Sequence, residues 1–203
     1  MMITISREYG AGGSFVAARV AEQLGWRVVD SQLLEEVAKR AGLTTDEVRE
    51  REERGPTFVE RLALALAAET PRVLGKAPDV PEKEEARLVK ITEQVLAEAA
   101  ADHVVLVGRA AVAVIGDKEN ALHVKLVGSV EYRAQVIADR EKLTFEEAQR
   151  RVRDVDAHRA SYHRQYYSRD WTDPRNYHLV LNTGWLGPAR AADVIVACIR
   201  LRY

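Results

Sequence analysis

The chain has 203 residues, 47% apolar and 30% charged, with a net charge of -1. Those values predict a single globular domain (residues 1–203) able to bury roughly 70% of its unfolded surface, and they exclude a general nucleic-acid or membrane surface. The one cysteine, Cys198, excludes an internal disulfide or a cysteine-based metal site and is expected as a core thiol; with no signal-peptide pattern and no apolar run near the ~20 residues of a membrane span, the cytoplasm is the expected compartment.

Residues 2–6 read as a short buried strand that runs into a loop holding Gly10, Ala11, Gly12 and Gly13. Ser14 opens a helix to Leu24, with Val16, Val20 and Leu24 on one stripe. Strand, glycine loop and helix N-terminus together make an anion site: glycines let backbone N–H groups approach a phosphate, and the helix dipole adds roughly half a positive charge. The phosphate-loop pattern G-x-x-x-x-G-K-[ST] is only partly met. Gly12 and Ser14 are present, but Arg7 stands at the first glycine and Gly13 at the lysine.

A second strand, 27–30, ends in Asp30, and Ser31 is placed to cap a helix over 32–40. Strand, loop, helix, strand is the start of a parallel α/β sheet, whose ligands bind beyond the strand C-termini. Asp30 is therefore a site candidate, with a helix-capping or turn role as the alternative. Thr44 and Glu47 fit a capping box. A helix is expected over 56–69, a proline-rich loop over 70–81, and a long helix over 82–101. The block 44–84 reads as an inserted helical lobe.

The continuous apolar run 103–107 predicts a buried parallel strand ending in Gly108-Arg109, so Arg109 faces the crevice of the glycine loop. A short helix follows over 110–115. Residues 122–127 alternate more and are placed nearer the sheet edge. Ser129 caps a helix over 131–141, and Thr144 with Glu147 starts a long helix to Tyr167 on which Asp156, Arg159 and His163 share a face. A turn at Asp173-Pro174, a last strand over 177–181 and a closing helix over 188–201 complete the chain.

The ordered set I-S-R-E-Y-G-A-G-G-S (5–14), V-V-D (28–30), V-G-R (107–109), D-x-x-R (156–159) with Tyr162, W-x-D-P-x-N-Y (171–177) and L-N-T (181–183) resembles the cytidylate kinase-like family, a branch of P-loop kinases related to bacterial CMP kinase. The resemblance implies a three-layer α/β P-loop kinase fold with a five-stranded parallel sheet. It adds a helical acceptor-side lobe (44–84) and a helical lid (144–175). It implies ATP-dependent phosphoryl transfer to a nucleoside monophosphate, CMP or dCMP among the candidates, with Mg²⁺. The alternatives are a nucleotide-binding module with little turnover, or a kinase for a non-nucleotide small molecule. Small-molecule nucleotides are the expected partners, with a homodimer compatible.

By the same resemblance, Gly10, Ala11, Gly12, Gly13 and Ser14 hold the donor phosphates, and Ser14 reaches the metal. Asp30, Arg109 and Asp156 lie on the acceptor side. Because the loop lacks its lysine and Val107 stands where bacterial CMP kinase has an acid, the catalytic charge falls to Arg7, Arg133 and Arg159. For Arg7 an ion pair with a helix carboxylate is an equal reading.

Overall fold

The computed structural model describes residues 1–48, 81–100 and 103–202. Five strands form one parallel sheet: β1 (Met2–Arg7), β2 (Arg27–Val29), β3 (Val104–Val107), β4 (Ala121–Val127) and β5 (Leu179–Asn182). Their order is β2-β3-β1-β4-β5. The chain therefore builds first to one side of β1 and then to the other, which makes the C-terminal end of β1 the topological switch point.

Helices cover both faces. On one, α1 (Gly13–Leu24) and the C-terminal helix α8 (Pro188–Arg202) bury Val16, Val20 and Ile195 against Ile3, Ile5, Val124 and Leu126. Cys198 packs partly buried against this cluster, as a core thiol would. On the other face, α2 (Ser31–Ala41), α3 (Pro81–Ala99) and α4 (Ala111–Ile115) bury Val37, Leu96 and Ile115 against Met2, Val104 and Leu106. Fully burying one such side chain contributes about 1.5–3 kcal/mol. Helices α5 (Val130–Glu141) and α6 (Phe145–Tyr167) form a hairpin around Ala134, Ile137 and Val152. Ser129 caps α5 through the Tyr132 N–H, and Thr144 and Glu147 close the expected capping box on α6. A short helix α7 (Thr183–Leu186) joins β5 to α8.

Several boundaries differ from the sequence reading. Strand β3 starts at Val104, because His103 takes a left-handed turn (φ 62°). Asp30, not Ser31, occupies the N-cap of α2. Strand β4 lies between β1 and β5 and is buried along nearly its whole length, so it is an inner strand rather than one near the edge. The residue after β5 starts α7, capped by the Asn182 side chain, where a simple strand end was expected. The capping box at Thr44 is formed; the helix expected over 56–69 and most of the lobe lie outside the described residues.

Candidate active site

The loop between β1 and α1 sits at the switch point. Gly12 occupies the N-cap of α1 with φ 78°, a left-handed conformation that disfavours any side chain bearing a Cβ. No side chain caps the helix, so its first-turn N–H groups lack the usual internal partner. Ala11 is fully buried and anchors the loop in the core.

The two halves of the loop are held differently. Asp156 Oδ1 accepts the Tyr9 N–H at 2.8 Å, and Arg133 Nη1 donates to the Tyr9 carbonyl at 3.0 Å. Arg133 also pairs with Asp156 Oδ2, donates from Nε to the Gly128 carbonyl, and lies 3.3 Å from Glu8. Arg133 is only 4% exposed. Both polar groups of the Tyr9 main chain are thus gripped from the α5–α6 hairpin. A Cβ on Gly10 would meet the Arg133 carbonyl at 2.8 Å, so the loop presses directly on α5. The Tyr9 hydroxyl donates to Glu141, receives Arg140 at 2.9 Å, and is held above its ordinary pKa by burial and by Glu141.

Arg7 takes a third course. A Cβ on Gly13 would lie 2.7 Å from Arg7 Cγ, and one on Gly108 would lie 1.6 Å from Arg7 Nη1. The arginine stem therefore fills the space that a side chain at position 13 would enter, and its guanidinium rests against the end of β3. It spans the crevice from the phosphate loop to the Gly108-Arg109 turn. Arg159 Nη1 donates to the Arg7 carbonyl at 2.8 Å, and its guanidinium lies 5.7 Å from the Tyr9 ring centre.

The turn after β3 is strained. Gly108, Arg109 and Ala110 take φ values of 73°, 52° and 51°, three left-handed residues in succession, two of them with side chains. Each non-glycine residue there costs on the order of 1 kcal/mol, and such strain gathers at functional positions. The Gly108 N–H donates to the Ile5 carbonyl, tying the turn to β1.

At the end of β2, the Ser14 hydroxyl donates to Asp30 Oδ2 at 3.3 Å, and the Asp30 side chain does not cap α2. Asp30 thus holds the N-cap position of α2 while its side chain is directed to Ser14. A hydroxyl and one carboxylate together suit Mg²⁺, which keeps several waters and completes its shell with substrate phosphates. No group of three or more His, Cys, Asp or Glu side chains able to hold a metal occurs among the described residues.

Seven of the expected site positions thus meet around one crevice: Arg7, Gly10, Gly12, Gly13, Ser14, Asp30 and, at the facing turn, Arg109. Arg133 and Asp156 lie behind the loop, engaged with it and with each other. Both hold the loop backbone; the resemblance implies a catalytic charge for Arg133 and an acceptor-side place for Asp156. Sequence reasoning passed over Glu8 and Tyr9; the E-Y pair directly before the first loop glycine was the available signal.

This arrangement can be compared with known proteins. The cytidylate kinase-like family model matches residues 2–184. The chain belongs to the cytidylate kinase-like family. A cytidylate kinase from Natronomonas pharaonis is 29% identical over 200 residues, covering 98% of this chain and 89% of the relative. A solved structure of a protein from Eubacterium ventriosum aligns with a TM-score of 0.71 at 23% identity, over 98% of both chains. The shikimate kinase of Acinetobacter baumannii, solved with shikimate, aligns with a TM-score of 0.56 at 17% identity, over 99% of this chain and 93% of that one. The fold of this family member is that of P-loop kinases, with a five-stranded parallel sheet between helical layers. No helix among the described residues is long and apolar enough to cross a membrane.

Proposed function

We propose that this protein transfers a phosphoryl group from ATP to a nucleoside monophosphate, with CMP or dCMP the first acceptors to test. The observation that carries this reading is Arg7, stretched between the phosphate loop and the Gly108-Arg109 turn in the space vacated by the missing loop lysine. Phosphoryl transfer needs positioning and charge neutralisation more than covalent help. Backbone N–H groups of Gly12 to Ser14 bind the donor phosphates. Arg7 neutralises charge between donor and acceptor, and Arg109 holds the acceptor phosphate, a task to which a planar guanidinium is suited. Arg159, anchored on the Arg7 carbonyl, keeps that backbone in place and adds positive potential. Ser14 and Asp30 would hold Mg²⁺. The metal, when bound, supplies charge stabilisation on the phosphate oxygens. Arg133 and Asp156 shape the loop. The family membership and the relative named cytidylate kinase support the nucleotide acceptor.

Gly13 in place of the loop lysine favours one other reading, a nucleotide-binding module with little turnover. An ADP-release assay across nucleoside monophosphates separates the two. Turnover with CMP or dCMP supports the kinase. ATP binding without turnover on any acceptor overturns it.

A further inference from the structure

Outside the site, β4 carries a lysine that phosphate chemistry does not explain. Lys125 is 3% exposed, and its ammonium donates to the Trp171 carbonyl. The ammonium lies 4.0 Å from the Trp171 ring centre and 5.2 Å from that of Tyr177. Those aromatics begin and end the W-x-D-P-x-N-Y stretch, and that stretch folds over the lysine. The Tyr177 hydroxyl donates to the same Trp171 carbonyl at 3.0 Å. Trp171 Nε1 donates to Ser6 Oγ at 2.9 Å, and Ser6 is the cross-strand neighbour of Lys125. Ser6 directly precedes Arg7, whose carbonyl receives Arg159. Arg159 stands one helical turn before His163, which is buried beside Trp171.

These contacts close a ring: β4 to the segment 168–177, to Ser6, to Arg7, to α6, and back to that segment. Burying an ammonium is costly, and an apolar chain of similar volume commonly stabilises as well or better. Core packing alone therefore gives no reason for a charge at this position. We propose that Lys125 is a positioning residue, its buried ammonium stapling the 168–177 segment to β1 and thereby holding Arg159 against Arg7. It touches no substrate. The kinetic consequence rests on the phosphoryl-transfer reading; the structural one does not.

Charged and titratable groups surround the ammonium on each side. Glu8 approaches from the loop, Asp156 and His163 from α6, and Asp170, Trp171 and Tyr177 from the 168–177 segment, while Arg159 and Arg169 act on His163 beside it. Burial lowers the lysine from its ordinary range, against the pull of Glu8, Asp156 and Asp170. His163 is neutral at pH 7, its pKa lowered to about 4 by burial and by Lys125. The carboxylates of Glu8, Asp156 and Asp170 favour the charged form, and the staple weakens as pH rises through the lowered lysine pKa.

The test compares wild type with Lys125→Met, Lys125→Arg and Ser6→Ala. Amide hydrogen exchange is expected to quicken in residues 5–11 and 168–178 of the Met and Ala variants, with α8 unchanged, and to return toward wild type in the Arg variant. With ATP and CMP, kcat is expected to fall roughly 10- to 100-fold in Lys125→Met, the range for a misplaced group, with the CMP KM within about twofold. The alkaline fall in kcat should move to higher pH in Lys125→Arg. Unchanged exchange in both segments of folded Lys125→Met overturns the staple. If that variant does not fold, Ser6→Ala decides, since it removes the acceptor that Trp171 Nε1 and, at 3.4 Å, the Tyr177 hydroxyl share, and unchanged exchange there overturns the proposal. If wild type turns over no nucleoside monophosphate, the functional reading fails while exchange still decides the staple.

Discussion

The two halves of the phosphate loop are built on opposite plans. The first, Glu8 to Gly10, is gripped by side chains more than 100 residues away in sequence, with Arg133 and Asp156 taking both polar groups of Tyr9. The second, Gly12 to Ser14, is the uncapped start of a helix whose N–H groups stay available. The difference teaches how a loop without its lysine can keep its shape. Order comes from the hairpin behind it, and in the function proposed above the charge would come from Arg7 lying across it. Ordering and neutralising, which one lysine could share in, fall here to separate residues.

Breaking the first half should have the largest effect. Asp156→Ala takes from the buried Arg133 guanidinium one of its two carboxylates and leaves Glu8 at 3.3 Å, so the loss should approach but not exceed the roughly 3–5 kcal/mol of a fully broken buried pair. Urea unfolding is expected to show that loss. Asp156→Asn should lose less, because its amide oxygen still accepts a hydrogen bond. Equal stability of Asp156→Ala and wild type would show that the hairpin does not hold the loop.

Neutralising charge without touching the hairpin should separate activity from stability. Arg7→Ala is expected to lower turnover by roughly 10²–10³, the range for removing one preorganised charge-stabilising donor. Its unfolding midpoint should move much less than that of Asp156→Ala. Adding Gly13→Lys to Arg7→Ala puts a cation back into the same space, and part of the turnover should return. Gly13→Lys alone should not help, because the Arg7 stem occupies that space. Steady-state kinetics on the three variants checks the set.

What the sequence made legible follows from range. Strand β1, helix α1, the caps at Ser129 and Thr144 and the glycine loop are local patterns, read within a few residues. The grip of Arg133 and Asp156 on Tyr9 is a contact across 124 and 147 positions, and no local period encodes it. Strand β4 was misplaced toward the edge because His123 and Lys125 read as solvent-facing alternation. Both are buried and satisfied: His123 by Thr4 and the Gly116 carbonyl, Lys125 by the Trp171 carbonyl. Polarity predicts exposure only when no buried partner waits, and the partners came from elements far along the chain.

The hairpin side also carries a pH dependence that the open half of the loop lacks. His163 is held neutral, at a pKa of about 4 against an ordinary 6.5, by burial and by the charges of Lys125, Arg169 and Arg159. A depressed histidine contributes stability that is present above pH 6.5 and is lost as pH falls through its folded value. The loss should reach up to about 3 kcal/mol by pH 4. Unfolding midpoints measured from pH 7 to pH 4 should fall in wild type and flatten in His163→Gln. An equal fall in both would assign the acid sensitivity to the carboxylates instead.

The smallest effect concerns the turn that faces the loop. Arg109 sits at φ 52° between two other left-handed residues. At an ordinary helical or extended position, glycine is less stable than alanine, because it gives up more backbone entropy on folding. At a left-handed position the order reverses, because alanine carries the Cβ strain and glycine does not. Arg109→Gly should therefore be more stable than Arg109→Ala by about 1 kcal/mol in chemical denaturation, while both lose acceptor binding to a similar degree. That pairing separates the two costs bound up in one residue, since the backbone strain is relieved only by glycine and the guanidinium is lost in both. If alanine proves the more stable, the turn is not strained in solution.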